Sequence, residues 1–276
     1  MKLRKARIRH FLITRGPNRI TRGWANRRHQ AAPIQVQSHE IFVPHWPAAF
    51  DGIRIGHISD LHFGDLLPLD RALEVVDMLR QAGPDMVCNT GDLVDLHWPG
   101  VEPVADALAS IKAPLGNFFV LGNHDELDSG DDVERIVSAA GTTVLHDDVA
   151  VVRQGDESLR IGGICWARTP SQCRKRIDSA LGDESVDLLL SHNPKAFDHA
   201  AEKGVPLTLA GHTHGGQIAR RNRPNSNLAI FHGHRRNAGT YGIGDSRLFV
   251  TVGVGSLFAL RWNVPAEISM LTVRCG

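Results

Sequence analysis

Ile53-Arg54-Ile55-Gly56-His57-Ile58-Ser59-Asp60-Leu61-His62 is the stretch that decides the fold. Its first seven residues are rich in β-branched side chains and read as a short strand. The last three set a carboxylate and an imidazole two residues apart, where that strand stops. The same sentence is written again downstream. Asp85-Met86-Val87-Cys88-Asn89-Thr90 runs into Gly91-Asp92-Leu93-Val94-Asp95, and a strand over residues 117–121 runs into Gly122-Asn123-His124-Asp125. An apolar run over 186–190 ends at Ser191-His192. Leu207-Thr208-Leu209-Ala210 ends at Gly211-His212-Thr213-His214.

Helical patterns lie between these strands. Leu69, Leu73, Val76 and Leu79 line one face of a helix over 69–81, which Gly83-Pro84 stops. Further helices are expected over 101–111, 131–140, 171–181 and 194–203. Short strands should flank a Gly155-Asp156 turn, and strands over 248–252 and 267–273 close the chain. Near-continuous apolar strands separated by helices indicate a sheet covered on both faces. In open α/β sheets ligands collect beyond the carboxyl ends of the strands, which is where every polar motif falls.

The five motifs offer carboxylate oxygen, amide oxygen and imidazole nitrogen, with no thiolate. That donor set suits Mn, Fe or Zn in a catalytic role. On extended backbone, D-x-H and H-x-H each aim two side chains the same way. Any single motif is ordinary: G-D-x-x-D also occurs as a capped turn and G-N-H-D as a tight loop. Their joint occurrence, each after a strand, is the informative fact.

With these residues in view, the sequence resembles the calcineurin-like metallophosphoesterases from residue 53 to the C-terminus. Ser191-His192-Asn193-Pro194 and Gly211-His212-Thr213-His214-Gly215-Gly216-Gln217 are most similar to the bacterial branch that includes YkuE and YaeI. The resemblance implies an α/β fold, a two-sheet, four-layer α/β sandwich. It implies two metal ions, Mn favoured over Fe or Zn. One ion takes Asp60, His62 and His214, the other takes Asn123, His192 and His212, and Asp92 bridges them. A metal-bridging hydroxide would attack phosphorus. His124 is the implied proton donor to the leaving oxygen and Asp125 the carboxylate that orients it. Asp95 reads as a supporting residue rather than a ligand. Phosphodiester or pyrophosphate substrates follow from the same resemblance, with UDP-2,3-diacylglucosamine of lipid A synthesis a concrete candidate. The alternatives are a phosphomonoester phosphatase, a nuclease, or a non-catalytic metal-stabilised scaffold.

The 276 residues carry a formal net charge of +1, which conceals an asymmetry. Residues 1–39 hold ten Lys/Arg and no Asp or Glu, leaving 21 basic residues against all 30 acids in the remainder. We therefore read residues 1–39 as a basic arm and 40–276 as the metallophosphoesterase domain. The arm admits a solvated tail, attachment to an anionic membrane surface, or contact with nucleic acid. Its longest apolar stretch, Phe11-Leu12-Ile13, is short of a signal peptide's core, and Arg27-Arg28 lacks the apolar run that follows an export twin-arginine pair. The expectation is a cytoplasmic protein, peripheral on the inner membrane face if membrane-bound. Cys88, Cys165, Cys173 and Cys275 form no C-x-x-C pair, in keeping with a reducing compartment.

Other conspicuous residues are expected to stand outside the centre. His57 sits within a strand, and His146 and His199 lack motif neighbours. His232 and His234 should line the substrate entrance or face water, beside Arg235 and Arg236. Arg220, Arg221 and Arg223 follow the last motif and either hold a second phosphate or lie in solvent. The oligomeric state has no signature in the sequence.

Overall fold

The computed structural model describes residues 3–221, 223–227 and 233–276, with 223–226 described as backbone alone. His232 lies outside the described residues. The N-terminal segment forms helices Leu3–His10 (α1), Gly16–Ile20 (α2) and Trp24–Gln30 (α3), with a π-helical turn at Phe11–Arg15 joining the first two. Strand Ile34–Val43 (β1) follows, then Arg54–Ile58 (β2), Met86–Asn89 (β3), Asn117–Phe119 (β4) and Thr143–Val144 (β5). Helices Leu69–Ala82 (α4), Glu102–Ala109 (α5) and Gly130–Ala139 (α6) connect them. The second half contributes Asp148–Gln154 (β6), Glu157–Ile164 (β7), Pro170–Leu181 (α7), Leu188–Ser191 (β8), Phe197–Glu202 (α8) and Leu207–Ala210 (β9). It ends with Ala219–Arg220 (β10), Arg223–Asn227 (β11), Gly239–Ile243 (β12), Ser246–Val250 (β13) and Ala266–Cys275 (β14).

Two six-stranded sheets result, ordered β1-β14-β2-β3-β4-β5 and β12-β13-β9-β8-β7-β6, with β10 and β11 as a separate pair. β2, β3, β4 and β5 run parallel, as do β7, β8, β9 and β13. Ile55, Met86 and Phe118 of one sheet pack with Ile161, Leu188, Leu207 and Phe249 of the other in a single apolar layer. Outside the first sheet, Ala72, Val75, Val76 and Leu79 seat α4 at helical spacing, and Gly83 ends that helix in a left-handed conformation (φ 64°). α7, opened by a Thr169/Gln172 capping box, covers the second sheet through Cys173, Ile177 and Leu181. The order is therefore helices, sheet, sheet, helices: the four-layer sandwich.

The N-terminal boundary is where sequence and structure part. β1 pairs in parallel with β14 at all ten positions from Ile34↔Ala266 to Val43↔Cys275. A division after residue 39 falls inside that strand, so residues 34–39 belong to the sheet. The alternation that buries Ile41 and Val43 is the period-two signal of an edge strand. Residues 3–30 are helical and seated on the body. Ala6, His10 and Thr14 lie four apart and are buried, while Ile8, Phe11, Leu12, Ile20 and Trp24 are exposed.

Candidate metal centre

Each motif follows the end of a strand that the core already holds, so the five converge on one edge of the sandwich. Asp60 Oδ1 is ringed by three imidazoles, with Nε2 of His214 at 3.4 Å, of His62 at 3.8 Å and of His192 at 4.0 Å. Asp92 Oδ2 lies between His192 Nε2 at 3.2 Å and His62 Nε2 at 3.5 Å, while its Oδ1 accepts the backbone N–H of His124. Three groups of side chains that could hold a metal ion are thereby assembled among the described residues: Asp60, His62 and His214; Asp92, His192 and His212; and His62, Asp95 and His124. Asn123 Oδ1 and Asp60 Oδ1 are buried oxygens with no hydrogen-bond donor among the described residues. Such oxygens are costly unless a partner satisfies them, and a cation does so.

The backbone is bent to bring these atoms together. Asp60, His62, Asp92, His212 and His214 all have φ between 50° and 71°, the left-handed region. Side chains with a Cβ avoid it, so tertiary packing must hold them there. The motif glycines explain how. A Cβ on Gly122 would fall 2.2 Å from Asp92 Oδ1, and one on Gly211 would fall 2.4 Å from Asp60 Oδ2. Glycine is what lets one motif's backbone lie against another motif's carboxylate.

Charge balance is equally specific. Burial would raise the pKa of Asp60, but the imidazoles of His214, His62 and His192 hold it well below the usual carboxylate range. Asp92 is likewise lowered against burial by His192, His124 and His62. Burial would lower His62, yet the neighbouring carboxylates of Asp60, Asp95 and Asp92 push it up to about 10; His192, facing Asp92, is pushed up to about 9. Burial drives His214 down to about 3 and His212 well below its ordinary value. The centre thus sets two buried carboxylates against the imidazoles of His62 and His192, and a cation bound there would take those rings in their neutral form.

Neighbouring groups fix the ring orientations. His192 Nδ1 lies 2.7 Å from the Thr90 carbonyl, and a proton donated there leaves Nε2 facing Asp92. Trp166 packs beside this half, with its ring 5.5 Å from that of His192 and 4.8 Å from that of His212. His124 Nδ1 sits 2.5 Å from the Asp95 carbonyl and 3.2 Å from Asp95 Oδ1. Here one expectation is corrected. Asp125 does not touch His124; its carboxylate accepts the backbone N–H groups of Asp92, Gly122 and Val94, tying two motif loops together. Asp95 orients His124 instead.

His57, His146 and His199 stand apart from the centre. His57 bonds Thr90 Oγ1 in the core, His146 pairs with Glu134, and His199 pairs with Asp178 and Glu202. His234 lies beside His212, ring centroids 5.1 Å apart. Arg220 and Arg221 are exposed, and Arg236 pairs with Asp198. The N-terminal segment supplies what motif reading missed. Arg9 Nη2 is 3.0 Å from His124 Nε2, and His10 bridges Asp65 and Asp95 at 2.9 Å each.

A sandwich with this edge cluster is a metallophosphoesterase architecture. The sequence signature of the family "Calcineurin-like phosphoesterase" matches residues 53–235, and the chain belongs to that family. It is a metal-dependent phosphoesterase. Among its relatives, "Uncharacterized metallophosphoesterase YkuE" of Bacillus subtilis is 29% identical over 251 residues, covering 87% of this chain and 86% of that one. "Phosphodiesterase YaeI" of Escherichia coli is 29% identical over 224 residues, covering 79% and 81%.

Proposed function

We propose that the protein is a two-metal hydrolase of phosphodiester or pyrophosphate bonds. The observation that carries this reading is the pair of His/Asp groups, Asp60, His62 and His214 and Asp92, His192 and His212, together with the buried, donorless oxygens of Asp60 and Asn123. Asp60, His62 and His214 would hold one ion, and Asn123, His192 and His212 the other, with Asp92 between them. Mn is favoured, Fe and Zn being the other ions this donor set accepts. Bound there, two such ions polarise a phosphoryl oxygen and lower the pKa of water so that hydroxide is available near neutral pH.

The chain's own residues do the rest. Thr90 fixes His192, and Asp95 holds His124 through Nδ1, leaving Nε2 as the atom that would give a proton to the departing oxygen. Trp166 excludes water beside His192 and His212. A diester substrate agrees with the activity named for YaeI, a phosphodiesterase. UDP-2,3-diacylglucosamine remains the candidate we favour. No helix among the described residues is long and apolar enough to cross a membrane. The exposed Ile8, Phe11, Leu12, Ile20 and Trp24, on a segment rich in cations, support peripheral contact with an anionic membrane that carries a lipid-linked substrate.

A substrate panel assayed with Mn, Fe and Zn tests this reading. We expect bis-p-nitrophenyl phosphate and the UDP-diacylsugar to be cleaved faster than p-nitrophenyl phosphate. Faster monoester cleavage, or activity that survives chelation, would overturn it. The membrane contact predicts co-sedimentation with phosphatidylglycerol vesicles and not with phosphatidylcholine vesicles; equal affinity for both would count against it.

A further inference from the structure

The N-terminal helix brings a cation to the one ring nitrogen of His124 that Asp95 does not engage. His124 Nδ1 is engaged by Asp95, so only Nε2 can serve a leaving group, and Arg9 Nη2 lies 3.0 Å from that Nε2. Among the described residues this is the only hydrogen bond of the Arg9 side chain, which forms no ion pair. A half-buried guanidinium has five N–H donors in a rigid fork, and here most of them are uncommitted. Any oxygen that approaches His124 Nε2 must come within reach of them.

The N-terminal segment that carries Arg9 is fixed at many points. His10 is buried, with Nδ1 on Asp95 and Nε2 on Asp65 at 2.9 Å each. Thr14 Oγ1 donates to the Leu257 carbonyl at 3.1 Å, and Gln30 Nε2 to the Asp65 carbonyl at 2.9 Å. Arg15 takes Asp65 as well, at 2.6 Å. Asp65 thus collects His10 and Arg15, while Arg9 feels the charges of Asp95 and Asp92 but forms no ion pair with either. A wall anchored in this way holds a side chain in place for a ligand.

Resting on the hydrolase reading above, we propose that Arg9 is a substrate-binding residue that recognises a leaving group carrying its own phosphate. The phosphoryl group under attack would sit at the metal centre. The second phosphate of a pyrophosphate-type substrate would then lie beside His124 Nε2, its non-bridging oxygens taken by the guanidinium fork. A diester with an uncharged leaving group offers Arg9 much less. Arg9 therefore sets preference among substrates, and His10 positions it.

The test compares full-length, Mn-loaded wild type with Arg9→Ala and Arg9→Lys by calorimetry with inorganic pyrophosphate and with orthophosphate. Turnover of bis-p-nitrophenyl phosphate is followed in parallel. One lost charge-assisted hydrogen-bond pair predicts that Arg9→Ala weakens pyrophosphate binding about 10- to 100-fold and orthophosphate binding far less. Arg9→Lys, which keeps the charge and the helix but loses the fork, should fall between. Equal effects on both anions, unchanged affinity, or no pyrophosphate binding by the wild type would overturn the proposal. So would faster turnover in Arg9→Ala, which would make the guanidinium a plug. A wild type that binds pyrophosphate but hydrolyses no phosphoester would sink the hydrolase reading and leave the Arg9 comparison to be judged on affinity alone.

Discussion

The metal centre has two walls, built differently. On the sheet side, ligands extend from strands buried in the core, and their backbone is forced into left-handed conformations at Asp60, His62, Asp92, His212 and His214. Each such residue costs about 1–3 kcal/mol, which only a rigid surrounding can sustain. On the N-terminal side, an ordinary helical segment is laid across the rim by side-chain bonds to Asp65, Asp95 and the Leu257 carbonyl. The first wall is fixed by the fold; the second is fixed by docking. On the reading proposed above, the chemistry would sit on the sheet and the contacts that choose the substrate on the docked helix.

Substitutions should separate the walls. Asp92→Asn removes the anion shared by both triads and should reduce bis-p-nitrophenyl phosphate hydrolysis below detection, with the circular dichroism spectrum unchanged. Residual turnover within about tenfold of wild type would deny the sheet wall its role. His124→Ala should lower turnover by about 10²–10⁴-fold while metal content is retained, as loss of a general acid requires. A parallel loss of metal would make His124 a ligand.

The docked wall should yield to milder changes. His10→Ala leaves Asp65 and Asp95 short of a partner and should loosen residues 3–30 by about 1–3 kcal/mol, read as faster amide hydrogen exchange there and not in β2 or β3. A pH effect follows from the same histidine. Burial would lower the pKa of His10, but Asp65 and Asp95 raise it from 6.5 to about 9. Its contribution is thus complete below pH 6.5 and lost as pH rises through about 9. Arg15 shares Asp65, and His62 and His124 share Asp95, so part of the docking persists above that pH. Hydrogen exchange of residues 3–30 should accelerate between pH 7 and pH 9.5 beyond its intrinsic rise. Equal protection at both values would show that His10 does not anchor the helix.

The same contrast explains what the sequence could disclose. That Asp60, His62, Asp92, His192, His212 and His214 gather at one edge was legible because each follows a strand end, where apolar patterning fixes position. Asp125 misled because adjacency in a tight loop is not contact: its carboxylate turns back onto the N–H groups of Gly122, Val94 and Asp92. Asp95, one motif away, takes its place. The N-terminal segment read as a separate arm because its cations find their partners at Asp65, Asp95 and His124, far along the chain. The four-residue spacing of Ala6, His10 and Thr14 was a local sign of a buried face, though nothing in it named the partner. β1 was cut in two because its pairing with β14 joins opposite ends of the sequence.

Metal stoichiometry tests the central claim most directly. Full-length wild type, dialysed against excess Mn and analysed by plasma mass spectrometry, should retain two ions per chain, and Asp60→Ala/His214→Ala should retain one. Two ions in that double variant, or none in the wild type, would contradict the assignment of Asp60, His62 and His214 to a separate ion.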